Sequence, residues 1–407
     1  MPSQPDMVKP SSLNPQPSTA HVAILTAGRD RPYALGLASA LISQGLMFDF
    51  IGSDEVDSPE LHGQPQVRFL NLRDQRENAG LLQKMTRVLI YYFRLLRYAA
   101  TAQPSIFHIL WNNKFEYLDR TLLMAYYRLL GKKIVFTVHN VNIRARDGGD
   151  SWLNRATLRF QYRWCDHIFV HTEKMKQELL TDFGIPADRI SLIPFGINNT
   201  VPNTMLPKDQ ARRRLDLGER DKTLLFFGNI APYKGLEYLV AAFIEVAGQS
   251  ADYRLVIAGR PKGCDEYWAR LLATINACPV RDQIVLKIEY VPDAETEIYF
   301  KAADVLILPY THIFQSGVLF LGYSFGLPVL AADVGALKQE IVEGKTGFVF
   351  KPQDSSDLAA VIKNYFASDL YRDLPVRRNT IREHANERYS WTKVGEITRQ
   401  VYSDLSA

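Results

Sequence analysis

Cysteine is scarce in this 407-residue sequence. The three present, Cys165, Cys264 and Cys278, are too few and too scattered for a disulfide framework or a cysteine-rich zinc site, so a reducing, intracellular compartment is expected. Long continuous apolar runs are also missing, and no transmembrane helix is expected. Neither charge sign dominates: 48 basic side chains face 44 acidic ones, for a net +4, which gives no reason to expect nucleic acid as a partner. Several signature loops are absent. No G-x-G-x-x-G follows the first strand, which argues against a dinucleotide-binding oxidoreductase. There is no phosphate-binding G-x-x-x-x-G-K-[ST], no G-x-S-x-G, no H-E-x-x-H and no His/Cys/Asp cluster at metal-ligand spacing.

What is present is a globular mixture, 47% hydrophobic and 23% charged, in a chain long enough for two or three domains. Residues 1–19 hold five prolines and no apolar block, and read as a disordered leader rather than a signal peptide. From His21 onward short apolar strands alternate with amphipathic helices. His21–Thr26, Met47–Ile51, Ile106–Trp111, Lys133–Val138, His167–Val170 and Ile190–Ile193 are the strands of a first unit. Residues 197–222 break the pattern with prolines and polar groups. It resumes with strands at Thr223–Phe227, Arg254–Ala258, Ile284–Glu289, Val305–Leu308, Pro328–Ala331 and Gly347–Phe350. Such alternation predicts an α/β protein built from two Rossmann-like, doubly wound parallel sheets facing a central cleft. The expected division is a leader (1–19), an N-terminal domain (20–200), a C-terminal domain (201–385) and a returning tail (386–407).

Four strand-end loops carry candidate chemistry. In Phe227–Gly235, Gly228 permits close backbone approach and Lys234 precedes a helix start, which suits a phosphate; a solvated turn lysine is the alternative. In Leu308–Gly322, Ser316 is positioned to cap a helix whose first amides, at Gly317 and Val318, would face an anion. Glu340, after a buried strand, either accepts hydrogen bonds from ligand hydroxyls or is a surface helix glutamate. The loop after Phe136–Val138 carries His139, Asn140, Arg144, Arg146 and Asp147, and its histidine is either functional or structural. Gly28 and Arg29, at the end of the first strand, complete the candidate set on this domain.

In this order and spacing the pieces resemble the retaining GT-B glycosyltransferases of family 4. The resemblance rests on His167-Ile-Phe-Val-His-Thr-Glu-Lys-Met, Ile193-Pro-Phe-Gly-Ile197, Gly228 to Gly235, Ala303 to Tyr310, Gly326 to Gly347 and Tyr389-Ser-Trp391. It implies transfer of a sugar, with retention, from a UDP- or GDP-sugar on the C-terminal domain to a saccharide or lipid-linked acceptor on the N-terminal one, in polysaccharide or glycoconjugate synthesis. No cofactor or metal is implied, the nucleotide-sugar being a substrate. By resemblance Lys234 neutralises the donor diphosphate, with Gly228, Asn229, Gln315, Ser316, Gly317 and Val318 around it. Tyr290 and Val291 bracket the base, Glu340 joins the donor site, and His139 lies near the transferred sugar. Gly28, Arg29, Asn140, Arg144 and Asp147 fall on the acceptor side.

The chain also departs from the family. Asn229 stands where an arginine is usual. Ile313 and Leu321 occupy the positions of two glutamates, the second of which normally binds ribose. Arg260 and Lys262 are candidate replacement charges or a basic surface loop. A sugar-nucleotide epimerase and a catalytically silent binding protein therefore remain open alternatives.

One further feature is expected at a membrane surface. Residues 78–115 contain no acidic side chain but include Lys84, Arg87, Arg94, Arg97 and Lys114. Over 81–100, helical spacing groups the bases on one arc and Leu82, Met85, Leu89 and Leu96 on another, with Tyr91, Tyr92 and Phe93 interleaved, as in an interfacial helix on anionic lipid. A solvated domain helix is the alternative, and the expected location is cytoplasmic or peripheral at the inner membrane face.

Overall fold

The computed structural model describes residues 21–28, 30–73, 81–146, 149–197 and 201–407. The expected leader, Arg29 and Asp147 lie outside the described residues. The first sheet has seven parallel strands: β1 (His21–Leu25), β2 (Met47–Ser53), β3 (Val67–Arg73), β4 (Ile106–Ile109), β5 (Lys133–Val138), β6 (His167–Val170) and β7 (Ile190–Leu192), in the order β3-β2-β1-β4-β5-β6-β7. The second has six: β8 (Lys222–Phe227), β9 (Tyr253–Ala258), β10 (Ile284–Lys287), β11 (Val305–Leu308), β12 (Val329–Ala332) and β13 (Gly347–Phe350), in the order β10-β9-β8-β11-β12-β13. Every pairing is parallel and both faces of each sheet are covered, which is why the central strands read as unbroken apolar runs. In each sheet the order reverses beside its first strand, between β1 and β4 and between β8 and β11. Loops leaving the carboxyl ends of strands diverge there and open a crevice.

Three sequence expectations change. β3 had no counterpart because it is an edge strand: its residues are at most half-buried, and Arg68 and Arg73 interrupt any apolar run. The helix expected at Leu118–Leu130 runs from Glu116 to Leu129, but its Asp119–Leu123 segment is wound more widely, as a π-helix, where the buried Asp119 and Arg120 sit within a polar network. The helix Leu374–Arg388 was not expected, since only Leu374, Ile381 and Ala385 are buried and no apolar stripe marks it.

Four helices matter below: α1 (Arg31–Ser43), α2 (Leu81–Thr101), α3 (Gly317–Ser324) and α4 (Trp391–Ser406). α4 packs on α1 of the first domain. Glycine makes this approach possible, because a Cβ on Gly36 or Gly196 would fall 2.1 or 2.2 Å from the Trp391 ring. Trp391 Nε1 donates to the Ile197 carbonyl (2.9 Å), and the Tyr402 hydroxyl pairs with the buried His108. α2 presents one face to the core through Tyr91, Tyr92, Leu95, Tyr98 and Ala99. Tyr91 and Tyr92 thus belong to the buried face, not the apolar arc expected to be free. Of the expected arc, Met85, Leu89 and Leu96 are 58, 63 and 37% exposed, and the interleaved Phe93 is 66% exposed, with Arg94 and Arg97 beside them.

Candidate active site

On the C-terminal domain, β8 runs out at Gly228, whose φ of +98° suits glycine. The chain then turns through Pro232–Lys234, and Gly235 (φ +61°) opens the next helix. Lys234 folds back over this turn, so that a Cβ on Gly228 would lie 3.2 Å from its Nζ and 3.6 Å from Val318. The ammonium group stands 5.5 Å from the Tyr310 ring centroid and 6.0 Å from that of Phe226. Lys234 is only 6% exposed, and among the described residues no carboxylate is within ion-pair distance of it. Burial lowers its pKa, an effect partly offset by Tyr233. A buried, unpaired cation beside a glycine turn is an arrangement suited to an anion.

α3 starts against this lysine. Ser316 is buried, but its side chain makes no capping bond; Oγ lies 3.3 Å from the Tyr310 hydroxyl instead. The expected side-chain cap is thus replaced by a contact with the residue whose ring faces Lys234. Among the described residues, no side chain caps the first amides of α3.

Beside Gly228 is a cavity of about 210 Å³ whose walls include Gly228, Asn229, Arg260, Tyr290, Val291 and Leu321. The Arg260 guanidinium lies 5.4 Å from the Tyr290 ring centroid. Lys262 is not among the lining residues. Gly259 lets β9 close the back of this cavity, since a Cβ there (φ +145°) would sit 2.0 Å from the Gly228 carbonyl oxygen. Glu340 lies elsewhere. Its carboxylate accepts from the Tyr389 hydroxyl and stands 3.7 Å from Arg388, lining a second recess of about 340 Å³ with His171, Phe195 and Gln315. Burial raises the Glu340 pKa, and the Tyr389 bond opposes that shift. The Gln315 Oε1 is buried and has no hydrogen-bond partner among the described residues.

On the N-terminal domain, β5 delivers His139 into an aromatic nest. Its ring stacks on Trp111 (centroids 4.4 Å apart, planes 1° apart) and meets the edge of Tyr33 at 4.6 Å. Its Nδ1 lies 3.2 Å from His171 Nε2. Burial, with His171 and His108 nearby, holds His139 well below the usual histidine range. Phe195 joins the domains: it is 6.3 Å from the His139 ring, it stacks on Phe320 of α3 at 5.3 Å, and a Cβ on Gly317 would lie 3.8 Å from it. His139 and the start of α3 therefore share one aromatic neighbour.

The remaining candidates are more dispersed. Gly28 sits at the end of β1 with φ +64°, between Ala27 and Asp30, which share that left-handed backbone. Arg144 donates to the Tyr117 hydroxyl (2.9 Å) and lies 3.8 Å from Glu116. Asn140 is half-buried next to His139. Sequence reasoning passed over Tyr310, Trp111, Tyr33 and His171. The last had a usable signal: β5 and β6 pair with Val138 opposite Val170, which sets the following residues, His139 and His171, side by side. That signal needs the strand order. Among the described residues, no group of three or more His, Cys, Asp or Glu is placed to hold a metal ion.

Comparison with known proteins divides the chain between two family descriptions. "Glycosyltransferase Family 4" matches residues 32–200 and "Glycosyl transferases group 1" matches residues 221–368. The chain belongs to glycosyltransferase family 4. The D-inositol 3-phosphate glycosyltransferase of Acidothermus cellulolyticus is 30% identical to this family 4 chain over 250 residues, covering 60% of it and 54% of the relative. The chain thus spans about half the length of the curated relatives it matches. Among solved structures, sucrose-phosphate synthase from Thermosynechococcus elongatus superposes with a TM-score of 0.74 at 18% identity, covering 95% of this chain and 99% of that one. Anabaena HepE in complex with UDP-glucose superposes at 0.71 and 14% identity, with the same coverage. The shared fold is the two-domain GT-B arrangement.

Proposed function

We propose that this family 4 chain transfers a sugar, with retention at the anomeric carbon, from a nucleoside-diphosphate sugar on its C-terminal domain to an acceptor on its N-terminal domain. The observation that carries the reading is Lys234, a buried cation with no counter-charge among the described residues, at the carboxyl edge of the second sheet. The cavity from Gly228 to Tyr290 suits the nucleoside, and the diphosphate would then cross Lys234 and the first amides of α3. As the glycosidic bond breaks, negative charge grows on the leaving diphosphate. A lysine and backbone dipoles already aimed there stabilise the transition state more than the ground state. This task falls to Lys234 and the amides, with no metal ion required. His139, across the cleft, meets the sugar. Closure of the domains would exclude water, the competing acceptor.

A UDP-sugar is the first donor to test, since HepE, which shares this fold, forms a complex with UDP-glucose. On the acceptor side, the exposed arc of Met85, Leu89 and Phe93 next to Arg94 and Arg97 supports peripheral contact with an anionic membrane and a lipid-linked acceptor. No helix among the described residues is long and apolar enough to cross a membrane. The deciding experiment screens UDP-, GDP- and ADP-sugars for released nucleotide, with and without a membrane lipid extract. Release that depends on both a donor and the extract is expected, with a loss of more than about tenfold in Lys234→Ala. Equal consumption without acceptor would point to an epimerase, and binding without turnover to a silent protein.

A further inference from the structure

The contact between His139 and His171 fixes more than position. His171 Nδ1 lies 3.2 Å from the backbone carbonyl of Ile193. A carbonyl oxygen can only accept, so His171 carries its proton on Nδ1. A neutral ring then has a lone pair on Nε2, and that atom faces His139 Nδ1 at 3.2 Å. His139 must therefore donate from Nδ1, which leaves its own Nε2 unprotonated on the far side of the ring. That nitrogen is buried and has no hydrogen-bond partner among the described residues. Burial keeps both rings neutral near pH 7; His171 is held down to about 4. Trp111 and Tyr33 clamp the His139 ring and oppose a flip that would exchange its nitrogens.

We propose that His171 is a positioning residue that locks His139 in the Nδ1–H tautomer, so that His139 presents only a hydrogen-bond acceptor and selects a ligand hydroxyl over a carboxylate or phosphate oxygen. The proposal rests on the glycosyl-transfer reading for the identity of that hydroxyl, a sugar OH, but not for the tautomer. A histidine side chain in water exchanges between both neutral tautomers and leans towards Nε2–H, whereas the Nδ1–H form here is imposed by one main-chain carbonyl relayed through a second ring. A carboxylate or phosphate at Nε2 would face a lone pair and be repelled. The consequence is specificity through an acceptor that cannot become a donor without breaking the contact to Ile193.

The tautomer can be read without any donor, by long-range proton–nitrogen correlation spectra of the full chain labelled with nitrogen-15 in histidine and assigned with His139→Gln. The expected result is a protonated Nδ1 and a bare Nε2 on His139 in the wild type. In His171→Ala the signature should shift towards the other tautomer. In H171Q, whose amide oxygen accepts from His139 while its NH2 donates to Ile193, it should return. With the UDP-sugar panel, H171A should lower kcat about threefold to tenfold, the worth of one neutral hydrogen bond, and leave nucleotide affinity unchanged, with recovery in H171Q. A wild-type His139 protonated on Nε2, or a signature unmoved in a folded H171A, overturns the proposal. If the tautomer holds but no nucleotide-sugar is consumed, the transfer reading fails and the relay stands.

Discussion

Trp111 and His139 lie face to face, 4.4 Å between centroids and 1° from parallel, although they leave different strands of the same sheet. β4 and β5 are neighbours with Ile109 opposite Phe136, so two residues beyond one and three beyond the other bring the rings together. The stack holds an imidazole whose one hydrogen-bond partner among the described residues is His171. Trp111→Ala should free the ring and lower transfer about tenfold, about 1.4 kcal/mol on the barrier, while Trp111→Phe keeps most of the rate. Steady-state kinetics paired with calorimetric nucleotide binding would check this. A parallel loss of nucleotide affinity would show that Trp111 supports the donor domain instead.

Lys234 should cost the protein stability. A buried ammonium without a partner is unfavourable, and methionine fills a similar volume without charge. Lys234→Met is expected to gain on the order of 1 kcal/mol in unfolding free energy and to lose nucleotide-dependent stabilisation. Denaturant melts with and without UDP test both halves. A destabilised variant that still binds UDP would remove the lysine from the anion site.

Gly259 and Gly228 should respond differently to alanine. At Gly259 the new methyl would meet a backbone carbonyl at 2.0 Å, whereas at Gly228 it would meet the movable end of Lys234 at 3.2 Å. Gly259→Ala is therefore expected to destabilise by roughly 2 kcal/mol or more. Gly228→Ala should be milder in stability, through its φ of +98°, yet severe in turnover because it displaces the ammonium. Urea unfolding alongside activity would separate them; equal stability losses would contradict the geometry.

Acid should weaken the fold early. His108 and His171 are buried, and desolvation lowers their pKa values to about 3 and about 4. In the unfolded chain these rings charge near pH 6.5, so between that pH and the folded values the unfolded state binds more protons. Stability is full above about pH 6.5 and falls as pH drops, by about 1.4 kcal/mol per unit for each such ring. Urea midpoints from pH 7.5 to 5 should decline, less steeply in His108→Gln. A flat profile would mean that the rings are charged in the native state.

The exposed arc of α2 gives a direct lipid test. Leu89→Ser combined with Phe93→Ser removes two apolar side chains that are 63 and 66% exposed, so folding should be unaffected. Retention on vesicles containing anionic phospholipid should fall about tenfold or more, with transfer to a water-soluble acceptor unchanged. Undiminished retention would assign the arc to solvent.

The architecture was legible because central parallel strands are buried on both faces, and runs such as Val305–Leu308 announce themselves. β3 and Leu374–Arg388 were hidden because edge strands and polar helices bury too little to leave a pattern. In the candidate site, Gly228 and Lys234 could be found from strand-end position, and Tyr290 through the family resemblance. The role of Ser316 could not, because its partner Tyr310 competes with the helix amides only once the loop is folded. Glu340 shows the same limit: its neighbour Tyr389 lies 49 residues away and arrives on a different helix.

The returning helix α4 has a consequence for how the chain is made. Val394, Val401 and Tyr402 share one core with Val22, Ile24 and Phe48. During synthesis the first domain leaves the ribosome with one wall absent, and its strands wait, apolar faces uncovered, until residue 402 has emerged. The domain translated before the other is thus the last to close, and the interval in between is when it most needs protection from aggregation.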